Sequence, residues 1–426
     1  MIVKKIKLYL PFIFVSVVIV VLSIAAGLRL GDWQEAFTSP TRLLHWDGKI
    51  IIDNIAVFLA PRLYLFLIGQ FCFTFLFLYS VSKFFHRQED ALFNVIVAFS
   101  FLLFFPFSLL FLSAGVFGTS IAYLWPMCFL AYGFTINVNK RQIWSSVIKI
   151  FSILLGTAQE QYIFVSLCVF GGLFILKLYR EKKIIWQYGG ALIATLVSFV
   201  FVALGDSSRY GSELYQFPDF KTLSVFNKLD IGFIGTFSQL FMNPMLILIA
   251  VNILILLIAI RNKRPIIVVF SGFLTIVTLF PEDAPGRSLV DDIMSSWTPK
   301  LPSGLFTNDR GMAPYGDIVT KTSLNNIQSM LPDLFLATLF VVFVICLLSA
   351  LSESEGKLLV LFALFIGILS RMLLSFSPTV WVSGFRTFTP FIMILFYIYL
   401  FLLLEFIYSF SNAGLSFQGN KRGHLF

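Results

Sequence analysis

The sequence predicts an all-α, polytopic transmembrane bundle of about twelve spans. Three observations predict it. The 426-residue chain is 58% hydrophobic and only 12% charged, where soluble domains carry about 25% charged residues. Apolar runs of about 20 residues, the length a helix needs to cross roughly 30 Å of hydrocarbon, recur from end to end. Basic clusters fall at alternate connections between these runs, as cytoplasmic loops require. A soluble enzyme would show amphipathic stripes instead of segments that are apolar all round.

Taken in order, the first run, 8–28, follows Lys4, Lys5 and Lys7. It is longer than the roughly 7–15 residues of a secretory signal core and has no small-x-small cleavage site, so it is expected to remain as a first span. A loop, 29–58, comes next, with an apolar stretch from Lys49 to Ala60 suited to an amphipathic helix in the interface. Spans 59–82 and 91–112 flank Lys83 and Arg87. Gly115, Gly118 and Pro126 interrupt the next run, which makes 113–125 a possible re-entrant element before or within span 120–136. Spans 143–158 and 162–179 enclose the triplet Gln159-Glu160-Gln161. Span 184–205, a middle loop 206–230, and spans 231–260 and 266–280 follow, then a long loop 281–332 and spans 333–351, 358–378 and 389–410. The fifth and ninth are short and are expected to tilt or re-enter. The whole is read as one integral membrane domain, 1–426, whose long loop folds over one face as a partly helical cap.

Placing Lys140-Arg141, Arg180 with Lys182-Lys183, Arg261 with Lys263-Arg264, and Lys421-Arg422 inside puts both termini in the cytoplasm. This accounts for the net charge of +9 without a nucleic-acid partner. Sixteen of the 22 acidic residues then fall on the outer side. Acidic residues contribute little to topology, so this excess marks the outer surface as the polar, functional face. The triplet sits there, at the tip of a tight hairpin. Cys72, Cys128, Cys168 and Cys346 all lie in apolar runs, as small packing residues do.

Four groups on that face carry chemistry. The first loop, RLGDWQEAFTSPTRLLHWDGK, offers Asp32, Glu35, Asp47 and Asp53 with Trp33 and Trp46. The second is Gln159, Glu160, Gln161 and Tyr162. The third is SAGVFGTSIAYLWP, in which Tyr123 and Trp125 offer stacking surface. The fourth is cationic: Arg287, Arg371 and Arg386. Carboxylates, arginines and aromatics at a membrane surface fit transfer of a sugar from a lipid phosphate to a hydroxyl. A carboxylate serves as general base for the acceptor, arginine matches phosphate oxygens bidentately, and sugars pack on aromatic rings. Each group also has a plainer role. Glu160 suits a helix start, Arg371 can snorkel to outer phosphates, Asp47-Gly48 makes an ordinary turn, and Tyr123 and Trp125 suit the interfacial belt. Glu282-Asp283 with Asp291-Asp292 could hold a divalent ion, but a solvated loop face explains them better; no cofactor is expected.

The motifs GDWQEAF, LHWDGK, AGVFGTSIAYLWP, TAQEQ, PGR and SPTVWVSGFR, with the hydropathy plan, make the chain resemble the polytopic glycosyltransferases of the GT-C fold. Within them it is most similar to bacterial O-antigen glucosyltransferases of the serotype-converting phage type. In that fold an acidic residue of the first extracytoplasmic loop acts as base or positions the acceptor. Asp32 matches by distance from the first span. The adjacent acidic pair often found there is replaced by Gly31-Asp32, so the choice between Asp32 and Glu35 stays open. The resemblance implies a polyprenyl-phosphate-linked sugar as donor, a cell-surface glycan as acceptor, and a place in the bacterial cytoplasmic membrane with the active site outside. On this reading Asp32, Glu35 and Glu160 are catalytic. Arg287, Arg371 and Arg386 bind the donor phosphate. Asp47, Gln159, Gln161, Tyr123 and Trp125 contact sugar or acceptor. The rivals are a lipid-linked glycan flippase, which needs polar residues along a mid-membrane path, and a polysaccharide polymerase, which would take a lipid-linked oligosaccharide.

Overall fold

The computed structural model describes residues 2–26, 50–105, 115–136, 143–213, 220–221, 223–241, 243, 245–280, 327–378 and 385–411. Within them the chain is helical, with no strand. It forms two compact units. Unit 1 takes in the described residues up to 209 together with 385–393, and unit 2 takes in those from 210 to 378 together with 394–411.

Unit 1 begins with α1 (Ile2–Ala25), α2 (Ile50–Leu59), α3 (Leu63–Phe84) and α4 (Ala91–Phe104). α1 buries Phe12, Val15, Ser16, Ile19 and Ser23, while Leu10, Phe14, Val17, Val21 and Ile24 remain exposed on its other side. That is helical periodicity, with the exposed stripe greasy, as a lipid-facing surface should be. α3 and α4 pack on the buried stripe. Asn94 ties this end together: its amide nitrogen donates to the Leu8 carbonyl at 3.2 Å and to that of Gln88 at 3.1 Å, and its oxygen accepts from Ser82 at 2.6 Å.

The middle of unit 1 is one unbroken run: α5 (Val116–Thr119), a π turn (Ser120–Leu124) and α6 (Trp125–Gly133). Nearly all of it is buried. α6 pairs with α7 (Ile143–Gly156), and α8 (Glu160–Glu181) and α9 (Trp186–Glu213) follow. Buried Lys149 of α7 donates to the Thr135 carbonyl at 2.7 Å, just past the end of α6. A cation there complements the negative end of the helix dipole. At the other end of the pair, a Cβ on Gly156 would lie 2.7 Å from the Leu130 backbone nitrogen. Backbone cannot give way, so Gly156→Ala is expected to cost about 1–3 kcal/mol. Thermal unfolding of the detergent-solubilised protein would show it. The same change at Gly235, which has nothing within 4 Å, should be neutral.

Unit 2 holds α10 (Val225–Phe241), α11 (Leu246–Arg261), α12 (Pro265–Leu279), α13 (Ile327–Ala350), α14 (Ser354–Met372) with a 3-10 turn (Leu373–Phe376), and most of α15 (Thr389–Ser411). The basic connection after α11 is anchored at one end of this unit. Arg261 donates to the Phe406 carbonyl at 2.9 Å, and Arg264 donates to that of Ser349. Ser352 donates to the Glu405 carboxylate at 3.2 Å. The connections RNKRP and SESEGK and the far part of α15 therefore share an end of unit 2.

Each expected span overlaps a described helix, and the helical bundle stands, while the count of about twelve is not confirmed. Among the described residues eight helices are long and apolar enough to cross a membrane, or nine if α10 and α11, bent by 65°, count as one broken span. α4, α7 and α12 have 14, 14 and 15 residues, or about 21–22 Å at a 1.5 Å rise. Those three fall short of the hydrocarbon thickness. α2 is a helix where an interfacial one was expected, with Ile52, Ala56, Leu59 and even Asp53 buried and the helix packed against the π turn.

Candidate active site

Polar groups gather at the end of unit 1 where α7 passes into α8. Gln159 is the residue before α8, with an extended backbone, φ −133° and ψ 145°, that turns the chain into the helix. Glu160 opens α8 and is half-buried. A carboxylate in a first turn is favoured by the helix dipole, so this position needs no neighbouring cation to hold a charge. Gln159 and Gln161, by contrast, are 2% and 1% exposed. The Gln159 amide nitrogen donates to the Gln161 side-chain oxygen at 3.4 Å. Gln161 in turn donates to the Thr387 carbonyl at 2.9 Å, across 226 residues of sequence. That bond draws the TAQEQ and SGFRTF segments together, with Glu160 and Arg386 each one residue away from it. Arg386 lies half-buried on a 3-10 turn, Phe385–Phe388, in which the two phenylalanine rings stack at 5.5 Å.

One atom of this chain of amides is left over. The Gln159 side-chain oxygen is buried with no hydrogen-bond partner among the described residues. An orphan acceptor of this kind costs about 1–3 kcal/mol, and a bound hydroxyl is one group that would complete it.

The π turn behind the site has a clear cause. Widening a helix by one residue leaves a carbonyl without its usual donor, and the fully buried Tyr162 hydroxyl donates to the Tyr123 carbonyl at 2.8 Å. Tyr123 thereby joins the π turn to α8. Trp125, expected to offer a stacking face, is 5% exposed. Its ring stacks on Phe66 at 5.6 Å and meets Phe73 edge-on at 4.7 Å. Its indole N–H donates to Gln70 at 2.7 Å, and a Cβ on Gly69 would come within 2.7 Å of the ring. Buried against these neighbours, Trp125 serves the frame.

Gln70 is a frame residue absent from the four candidate groups of the sequence analysis. Fully buried, it accepts from Trp125 and donates to Ser120 at 2.7 Å and to Ser23 at 3.3 Å, linking α3, the π turn and α1. Its signal in the sequence is an amide within LYLFLIGQFCF, where every polar group must find a protein partner.

Unit 2 carries its own polar end. Arg371, at the last turn of α14, is 6% exposed. Asp333 of α13 and Asp230 of α10 are half-buried and close enough for their charges to interact. The Asp333 Oδ1 atom is buried with no hydrogen-bond partner among the described residues. Both aspartates stand at edges of apolar runs, and the sequence reading placed Asp230 at the end of a loop and Asp333 at the first residue of a span. Asp32, Glu35, Asp47 and Arg287 lie outside the described residues, as do the acids at 282–283 and 291–292. Among the described residues no three His, Cys, Asp or Glu side chains are grouped to hold a metal ion.

No known family model, curated protein or solved structure matches the chain.

Proposed function

We propose that this membrane protein transfers a hexose from a polyprenyl-phosphate-linked donor to a hydroxyl of a cell-surface glycan at the outer face of a bacterial cytoplasmic membrane. The observation that carries the reading is the buried amide pair at the α7–α8 turn. It has an orphan acceptor in Gln159, a carboxylate beside it in Glu160, and a bond from Gln161 to the segment that bears Arg386. A hydroxyl-rich ligand supplies the donor that Gln159 lacks. Glu160 orients the sugar or acceptor. Arg386 meets phosphate oxygens. Asp32 or Glu35 takes the proton of the acceptor hydroxyl, with Asp47 among the acceptor contacts. Tyr123 and Trp125 act through the frame they hold.

Against the flippase alternative, Gln70, Asn94, Ser166 and Thr195 inside the spans bond to other side chains or to backbone carbonyls, which is the pattern of helix–helix adhesion.

The test is transfer itself. Purified protein is added to membranes holding radiolabelled polyprenyl-phosphate sugars, and label is expected to leave the lipid fraction for the glycan. Label that stays on a single-sugar donor, yet moves when a lipid-linked oligosaccharide is supplied, would replace this reading with polymerisation. Label that moves from neither rejects it.

A further inference from the structure

We propose that the turn between α8 and α9 docks the headgroups of anionic phospholipids, with Arg180, Lys182 and Lys183 at the phosphates and Trp144, Tyr179 and Trp186 seated in the interface at the same end. Three helix ends meet there. α7 and α9 run side by side in one direction: Thr157 donates to the Ser198 hydroxyl at 2.9 Å, and a Cβ on Gly190 would lie 2.7 Å from Ile150. α8 runs against α9, with the Ser166 and Thr195 hydroxyls 2.7 Å apart and Phe174 beside Gly189. The start of α7, the end of α8 and the start of α9 therefore share one end of unit 1. α8 and the first part of α9 are both long and apolar enough to cross a membrane, and four residues, 182–185, join them. So short a connection holds its charges at headgroup depth.

The side chains at this end are left open to the bilayer surface. Trp144 and Tyr179 are 81% and 84% exposed, and Ile184 and Trp186 are exposed as well. Tryptophan and tyrosine favour the headgroup level, where the ring is greased and its polar tip wetted. The cations are open too. Lys177 pairs with Glu181 at 2.7 Å, but the side chains of Arg180, Lys182 and Lys183 are exposed and make no hydrogen bond or ion pair among the described residues. Other basic connections are spent inside the protein. After α3, Arg87 pairs with Asp90 at 3.6 Å. After α11, Arg261 and Arg264 donate to carbonyls, at an end that also carries Glu405. The backbone adds a second sign. Lys182 is left-handed, φ 51° and ψ 29°, at the helix-end position where glycine is cheapest. A cation there also meets the negative end of the α8 dipole, but that contact needs no lipid, so the two roles can be separated.

The test uses the full-length protein in detergent and no sugar, so it stands apart from transfer. Native mass spectrometry would follow titrations with phosphatidylglycerol, phosphatidylcholine and polyprenyl phosphate. Each cation at an anionic surface is worth about fivefold in affinity. Arg180→Gln with Lys182→Gln and Lys183→Gln is expected to weaken phosphatidylglycerol by about a hundredfold and to leave phosphatidylcholine unchanged. Lys182→Gly alone should cost about fivefold while melting no lower in lipid-free detergent, because glycine relaxes the left-handed backbone. Lys263→Gln, at an exposed lysine of the same backbone conformation after α11, should cost nothing. Unchanged phosphatidylglycerol affinity in the triple variant, or an equal loss in Lys263→Gln, overturns the assignment. So does an equal loss of phosphatidylcholine, which would make the surface apolar in its choice. Polyprenyl phosphate held more tightly than phosphatidylglycerol gives the surface to another lipid and overturns it as well. A Lys182→Gly protein that melts lower and binds phosphatidylglycerol as before would leave Lys182 a helix-end residue.

Discussion

Asp32→Asn combined with Glu35→Gln is expected to abolish transfer of label from a polyprenyl-phosphate sugar, and Glu160→Gln alone to slow it by about two orders of magnitude. Positioned general bases contribute roughly 10²–10⁴-fold, which sets the scale for the double variant. In the proposed function Glu160 acts through orientation, so its loss sits at the lower end. Neither change should unfold the protein. Glu160 is half-buried at the first turn of α8, and its charge is worth about 0.3–1 kcal/mol there through the helix dipole. The measurement is an initial rate paired with a melting curve on the same preparation. A Glu160→Gln protein that melts lower and transfers normally would make Glu160 a helix-start residue and nothing more. A double variant that still transfers would reject both carboxylates as the base.

The largest expected loss of stability comes from Gln70→Leu. The substitution keeps the volume close but strands the Trp125 indole N–H and takes away the amide donor that the Ser120 and Ser23 oxygens accept from in the middle of unit 1. Hydrogen bonds between membrane helices are worth about 0.6–2 kcal/mol each, so three of them amount to roughly 2–6 kcal/mol. Trp125→Phe removes one of the same bonds. The pair should therefore be coupled: Gln70→Leu with Trp125→Phe is expected to cost about 0.6–2 kcal/mol less than the two singles added. Strict additivity would mean that the Gln70–Trp125 bond contributes nothing.

The helices were legible in the sequence because hydropathy reports length and composition, which is what a bilayer demands of a span. The stretch 231–260 shows the limit. Its apolar count is right for one span, yet the chain bends between α10 and α11, and no hydropathy value distinguishes a straight apolar run from a bent one. Which apolar residues face protein was also hidden. On α1, Val15 and Val17 are the same side chain two places apart, one buried and one exposed. In a soluble protein the exposed one would be polar and would reveal the face. The triplet at 159–161 stood out because amides and a carboxylate are expensive among apolar runs, and the structure brings Gln161 to Thr387. Gln70 is equally polar and equally buried, but its partners lie 47 to 55 residues away on other helices, and nothing local announces them. Tyr123 and Trp125 were read as outward-facing because aromatics favour interfaces. The same rings also fill cores, and burial decided between the two.

Lys149 bears on how the chain enters the bilayer. Six residues into α7, it stands about 9 Å along the helix, where a lone ammonium facing lipid would cost around 2.5–3.5 kcal/mol. The acceptor that relieves this cost, the Thr135 carbonyl, belongs to the preceding element. α7 is therefore a poor candidate to leave the translocon by itself. It must partition together with α6 as a preformed hairpin, which makes the order of synthesis part of how this protein is built.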